Sequence, residues 1–590
     1  MENSRRNAPD EITNIELRFD SFDNGNVLFN KKKGHLPAMG WNSWNAFGSG
    51  NTEALTKLMA DKFIELSLDK LGYKYLVLDD GCYLNERVDG LLSNNTEKFP
   101  SGFKALADYI HDRGLKFGMY NDIGTNLCAG AAVGTCGHEK EDAQSYVNWN
   151  VDFLKVDNCY YLWDNATFSD ATNAKYTFAP MIHKVDITKG NDVLASFVAG
   201  KNMNITGEGA ATEEIDGKTY IYHIGTFDGT GPAHSPVGPR YSEIELEFDA
   251  DTEGRYALSF DCICKMEEGK GSWLQVATDR GASSKLWYDG LYNGEAVDIT
   301  LKAGHNEIRI MNHRRQENTL NAYAKLLEGL YEADPENEII YSMCEWGKTQ
   351  PQNWAKKVGD SWRILNDITF NVGSDGNPGK GSWESDYTTS VTAQYNKAVI
   401  MDEFAGLDKG WNDPDMMVIG MDGLSVTQNK THMAMWCMLN SPLMLGLDLR
   451  RIEKGDELYN IIANKALISL NQDPLGIQAK RVYTSLCDSA PDKTYITNND
   501  RVDILAKPLK DGAFALSFIN LSGKEKQVNH QISMVDITNT FKERIPKALK
   551  EAKGWRVVDL FTEESYFTED KVSVETLEAY SNVTVKVIPE

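Results

Sequence analysis

Hydrophobic and polar positions along this chain follow two rhythms. From residue 36 to about 178, segments with apolar residues three and four apart alternate with short continuous apolar runs. Leu55, Leu58, Met59, Phe63 and Leu66 predict a helix over 52–70, punctuated by Gly72 and followed by a strand over 73–78. The same unit recurs as helix 103–113 and strand 115–120, then helix 141–149 and strand 151–156. Such alternation predicts parallel strands with crossover helices. Near residue 180 the period becomes two: Ile244, Leu246 and Phe248 alternate with glutamates, and Tyr256, Leu258 and Phe260, then Val297, Ile299 and Leu301, behave alike. Helix and strand resume at 320–330 and 339–343, and after about 478 the chain turns to β again, with Phe514, Leu516 and Phe518 behind an Asp511-Gly512 turn.

These rhythms divide the chain into a barrel half at 36–180, an inserted β-sandwich at 181–318, a second barrel half at 319–477 and a C-terminal β-sandwich at 478–590. The fold class expected is α/β: a (β/α)₈ TIM barrel with an inserted all-β domain and a C-terminal antiparallel β-sandwich. A barrel is preferred to a doubly wound sheet because the apolar strands end in Trp44, Asp79 and Asp80, Tyr120 and Asp122, Lys155 and Asp157, and barrel enzymes carry their chemistry at those ends. A doubly wound sheet more often has a glycine-rich phosphate loop after its first strand, where this chain has the aromatic segment from Gly40 to Asn45.

A chain of 590 residues exceeds what one core serves, and its net charge of −25 repels nucleic acid and anionic membranes. No stretch approaches the roughly 18 apolar residues of a spanning helix. The first twenty or so residues are polar where an export signal needs an apolar run, so a cytoplasmic protein is expected, with secretion open if a signal was removed. Nine cysteines leave at least one unpaired, and none has zinc-like spacing. Cys262 and Cys264 are expected on opposite faces of a strand, in structural roles.

Sugar hydrolysis needs one carboxylate at the anomeric centre and one carboxyl to protonate the leaving oxygen. Asp157 directly follows an apolar strand, and Lys155, two residues earlier on the same side, is expected to keep it ionised. Asp367 is the second candidate, with Arg363 one helical turn away. Taken alone, Asp157 reads equally as a helix cap and the Arg363–Asp367 pair as a surface ion pair.

Seven motifs in order change that balance. They are Met39-Gly40-Trp41-Asn42-Ser43-Trp44, Leu78-Asp79-Asp80, Gly118-Met119-Tyr120, Lys155 to Cys159, Cys344-Glu345-Trp346, Ser361-Trp362-Arg363 with Asp367, and Trp411-Asn412-Asp413-Pro414-Asp415-Met416. Together they resemble glycoside hydrolase family 27, the melibiase-like family of α-galactosidases and α-N-acetylgalactosaminidases, over about residues 36–480. The resemblance implies a retaining, exo-acting α-galactosidase with Asp157 as nucleophile and Asp367 as general acid and base, needing no metal or organic cofactor. It further implies a carbohydrate partner ending in α-galactose, with Asp79 and Asp80 on the 4- and 6-hydroxyls, Lys155 beside them and Trp44 and Tyr120 as walls. Trp346 and Asp415 belong to the same substrate-binding set. Glu345 and Arg363 match positions that contact the 2-hydroxyl, where relatives that cleave N-acetylgalactosamine carry small residues. Cys128 and Cys159 sit at positions bridged in the family.

Two departures stand out: Gly81 intervenes between the paired acids and Cys82, and Gly48-Ser49-Gly50 replaces the cysteine expected after the first motif, leaving Cys82 a free thiol. The insertion is expected to place loops over the pocket, with Trp273, Trp287, Tyr288 and Tyr292 as candidate sugar platforms or core residues. The stretch 373–382 reads as a flap or a long surface connection. Rival functions are the same chemistry on N-acetylgalactosamine, β-L-arabinopyranose or isomaltose-type glucose, or a sugar-binding protein without catalysis.

Overall fold

The computed structural model describes residues 34–124, 126–159, 180–207, 210–222, 224, 242–264, 272–278, 281–287, 290–311, 316–347, 351–384, 390–545 and 552–590. Eight parallel strands form its centre: β1 (Met39–Asn42), β2 (Tyr75–Val77), β3 (Lys116–Asp122), β4 (Phe153–Asp157), β5 (Ile340–Cys344), β6 (Ser361–Arg363), β7 (Trp411–Asp413) and β8 (Leu443–Leu445). They pair in chain order from β1 to β7, and β8 lies beside β1. Closure is made just past β7, where Met417 pairs with Leu445, its amide donating to Met444 O at 2.8 Å. The sheet is thus a closed barrel.

Strand parity sorts the side chains. Val77, Phe153, Ile340 and Met444 fill the barrel interior with Ala38 and Met416, whereas Leu76, Leu154, Val156, Tyr341 and Met343 join the larger core under the helices. Thr52 caps helix Glu53–Glu65, its side chain accepting from the Leu55 amide, and Gly72 at φ 103° turns the chain into β2. This helix is shorter than expected because residues 68–71 tighten into a 3₁₀ turn. Helices Phe103–His111 and Glu139–Asn148 follow β2 and β3, and Gln316–Ala333 precedes β5. Between β5 and β6 the described residues hold only the 3₁₀ turns Pro351–Asn353 and Ala355–Lys357. None of the helices among the described residues is long and apolar enough to cross a membrane.

Strands from Met181 to Met311 build two antiparallel sheets around a separate core containing Ile244, Leu246, Tyr256, Leu258, Phe260, Val297, Ile299 and Leu301. Cys262 and Cys264 both point into that core, so the opposite-face expectation fails: residues two apart on a strand share a face. Tyr292 packs against the same core, while Tyr288 and the side chains of Trp273 and Trp287 lie outside the described residues. A six-stranded antiparallel sheet running from Lys480–Thr484 to Asn582–Pro589 closes the chain, with Phe514, Leu516, Phe518, Val585 and Val587 in its core.

Candidate active site

At the C-terminal ends of the barrel strands lies a cavity of about 310 Å³. Its lining brings together Trp44, Asp79, Asp80, Tyr120, Lys155, Asp157, Trp346, Asp367 and Asp415, and adds Asn45, Cys128, Phe370 and Met416. Inward parity explains most of this set, since Asp79 continues the row of Tyr75 and Val77, and Lys155 and Asp157 the row of Phe153. Gly118 occupies the inward row of β3 where a Cβ would meet Val77 Cγ2 at 2.7 Å and Phe153 Cβ at 3.2 Å. The barrel floor is therefore closed beneath the pocket.

Part of the cavity lining is a polar cradle. Asn42 Nδ2 and Lys155 Nζ each donate to Asp79 Oδ2 at 2.7 Å, and the Asp80 carboxylate accepts from the amides of Gly81 and Ala129, both at 2.6 Å. Burial still raises the Asp80 carboxyl to about 6, assisted by the Asp79 charge. Asp157 accepts from the Asn158 amide at 2.9 Å and faces the Tyr120 hydroxyl at 3.4 Å. Burial pushes its carboxyl up to about 8; Lys155 pulls the other way, and Asp122 and Asp367 add to the rise. Lys155 thus favours the charged form of Asp157 in the expected direction while also donating to Asp79, and burial outweighs it.

Asp367 stands on the loop after β6. Arg363 ends a strand rather than sitting in a helix, so the helical-turn relation is replaced by a turn that folds Asp367 back to Arg363 Nη2 at 3.1 Å. The same guanidinium reaches Asp415 at 2.7 Å and is only 3% exposed, behind the lining rather than in it. Burial raises Asp367, with Asp415 adding to the rise and Arg363 opposing it. Asp415, at φ 78°, also accepts from the Ile368 amide at 2.7 Å, tying β7 to the Asp367 loop. Glu345 has no exposed surface and does not line the cavity: inward positions on β5 are Ile340, Ser342 and Cys344, so Glu345 falls on the opposite parity and Trp346, at φ 58°, enters instead. The 2-hydroxyl contacts expected of Glu345 and Arg363 are therefore not offered by pocket-lining side chains.

The α-galactosidase A family model matches residues 36–179 and 248–473. The chain belongs to that family. It is 27% identical over 497 residues to the α-galactosidase of Cyamopsis tetragonoloba, covering 84% of this chain and 75% of the relative. It is also 27% identical to α-galactosidase A of Cellvibrio japonicus over 490 residues, 82% and 76% of the two chains. Its fold matches α-galactosidase I of Mortierella vinacea with a TM-score of 0.58 at 20% identity, over 96% of this chain and 99% of the other.

Against the family pattern, the structure shows how the two departures fit. Gly81 takes φ 95°, and a Cβ there would lie 2.8 Å from Ser49, so the glycine-rich stretch and the Asp80 loop touch where the resemblance expects a disulfide. Lys98 Nζ fastens both, donating to Ser49 O at 2.7 Å and Gly81 O at 3.0 Å. Cys82 is buried and unbridged. Cys128 and Cys159 are joined, with Cα atoms 5.2 Å apart, which anchors the loop that supplies the Ala129 amide to Asp80. Asp122, Cys128, Asp157 and Cys159 have donor atoms within 4.8 Å of one another, but the disulfide occupies both sulfurs. In the stretch 373–382, Gly373 N donates to Asn45 O at 2.8 Å and Arg450 Nη2 to Asp375 at 2.5 Å, contacts that favour the surface connection over the flap. None of the inserted strands contributes to the described lining. Asn45 directly follows the first motif, whereas Phe370 has no signal beyond lying three residues after Asp367.

Proposed function

We propose that this chain is a retaining, exo-acting α-galactosidase. The observation that carries it is the convergence of two carboxyls, the buried Asp157 and the partly exposed Asp367, on one cavity that also holds the Asp79–Asp80–Lys155 cradle. Family membership supports the same reading. Asp157 attacks the anomeric carbon while Asp367 gives its proton to the departing glycosidic oxygen, leaving a galactosyl ester on Asp157. Asp367, now a carboxylate, takes a proton from water as that water's oxygen attacks the same carbon and frees Asp157. The acceptors of Asp79 and Asp80 suit the 4- and 6-hydroxyls of galactose, and Trp44 presents an apolar wall to its C–H face. A cavity of about 310 Å³ lies at the small end of ligand sites, about 300–1,000 Å³, which suits one terminal sugar ring.

The buried placement of Glu345 supports a second reading, hydrolysis of α-N-acetylgalactosaminides, since no exposed carboxylate blocks an acetamide there. Both readings are tested with p-nitrophenyl α-D-galactopyranoside and its N-acetylgalactosamine analogue. The galactoside is expected to be the better substrate, and Asp157→Asn and Asp367→Asn are expected to lose on the order of 10³-fold or more in rate. A wild type that ignores galactosides overturns the proposal.

A further inference from the structure

Helix Val391–Ala398 lies between the Asp367 loop and the C-terminal sandwich and grips both. Gln394 and Lys397, three residues apart and so on one helix face, donate to backbone carbonyls of that loop: Gln394 Nε2 to Asn366 O at 2.5 Å and Lys397 Nζ to Ile364 O at 2.7 Å. Lys397 is buried although cationic, and Gly347 packs where a Cβ would lie 2.0 Å from the same Ile364 oxygen. The carbonyls on either side of Leu365 are thus both held, two and four residues from Ile368, whose amide is fixed by Asp415.

The opposite face is bonded to the sandwich. Tyr395 donates its hydroxyl to Asp503 at 3.1 Å, Arg501 Nη2 donates to Asn396 Oδ1 at 2.6 Å, and Asn499 Nδ2 donates to Thr392 Oγ1 at 3.0 Å. Asp503 is itself clasped by Arg481 and Arg501, all three fully buried. A buried network of charged groups holds its geometry closely, because any shift strands a charge.

We propose that this helix is a strut through which the C-terminal sandwich sets the position of Asp367, with Gln394 and Lys397 as positioning residues for the general acid. The inference rests on the acid role given to Asp367 above. Proton donation depends on sub-ångström placement and matters most when the leaving oxygen is a poor one. Tyr395→Phe removes one hydroxyl on the sandwich side, and Gln394→Met one donor on the loop side; both nearly conserve volume.

In the full chain, aryl α-galactosides of graded leaving-group acidity are the probes. For each variant kcat/KM is expected to fall about tenfold more for the least acidic phenol than for the most acidic, with the high-pH limb of the profile displaced. Hydrogen exchange at residues 364–368 is expected to quicken in both, and this readout holds whichever sugar the enzyme cleaves. Equal losses across the phenol series, or unchanged exchange in both variants, overturn the strut. A wild type inactive on every α-galactoside removes the activity reading alone, and the exchange measurement then decides the strut.

Discussion

At the residue scale, the two carboxyls are raised by burial, not spread apart by a dedicated cation. Asp157 reaches about 8, and its charge and that of Asp367 oppose each other. A pair of this kind shares protons, and the reactive form carries one. The acid limb of kcat/KM is accordingly expected above about pH 4, the range of an ordinary aspartate; an acid limb at 4 or below contradicts the raised pair. Stability follows with a definite sign. A carboxyl whose folded pKa exceeds its unfolded value contributes fully below about pH 4, and that contribution is lost as pH rises towards 8. Asp157→Asn should therefore melt near wild type at pH 4 and above it at pH 7 to 8, by on the order of a few kcal/mol. Thermal unfolding at pH 4, 6 and 8 checks this, and a pH-independent difference sinks it.

Among the elements, the loop after β2 shows how a substituted contact can stand in for a covalent one. Gly81 holds φ 95° against Ser49, and its amide supports Asp80. Gly81→Ala forces a Cβ into that contact at a backbone angle disfavoured for side chains, so a loss of about 1–3 kcal/mol is expected, together with a raised KM. Calorimetry and steady-state kinetics on the variant measure both. An unchanged KM detaches the loop from substrate binding. Helical and strand periods made the barrel units legible because each element buries one face. The 3₁₀ turns between β5 and β6 were not, since three-residue turns are too short to show a period even though Trp354, Ala355 and Val358 are buried.

Over the whole molecule, the barrel and C-terminal sandwich meet at buried polar anchors. Lys507 has no exposed surface and donates to Asn440 Oδ1 and Ile477 O across that junction. Burial lowers its ammonium to about 7, well under the usual lysine value. Between about pH 7 and 10 the unfolded chain binds the extra proton, so wild-type stability should rise with pH relative to Lys507→Met. Denaturant midpoints at pH 6 and 9 give the slope, and a flat or inverted difference refutes it.

The sequence by itself determined the parallel barrel, the period-two segments that interrupt and end it, and most of the pocket, because strand-end acids and aromatics share a parity that can be counted along each strand. Asp157, Lys155, Asp79 and Trp44 were legible in that way. Only the tertiary structure decided what depends on neighbours from other strands: that Glu345 turns away from the cavity, that Arg363 serves Asp367 and Asp415 together, and that Phe370 joins the lining. It also decided the competition for Lys155, since a cation two residues from one acid can lie closer to another across the barrel. Periodicity reports which face a residue occupies, whereas the partner it meets is set by closure of the sheet.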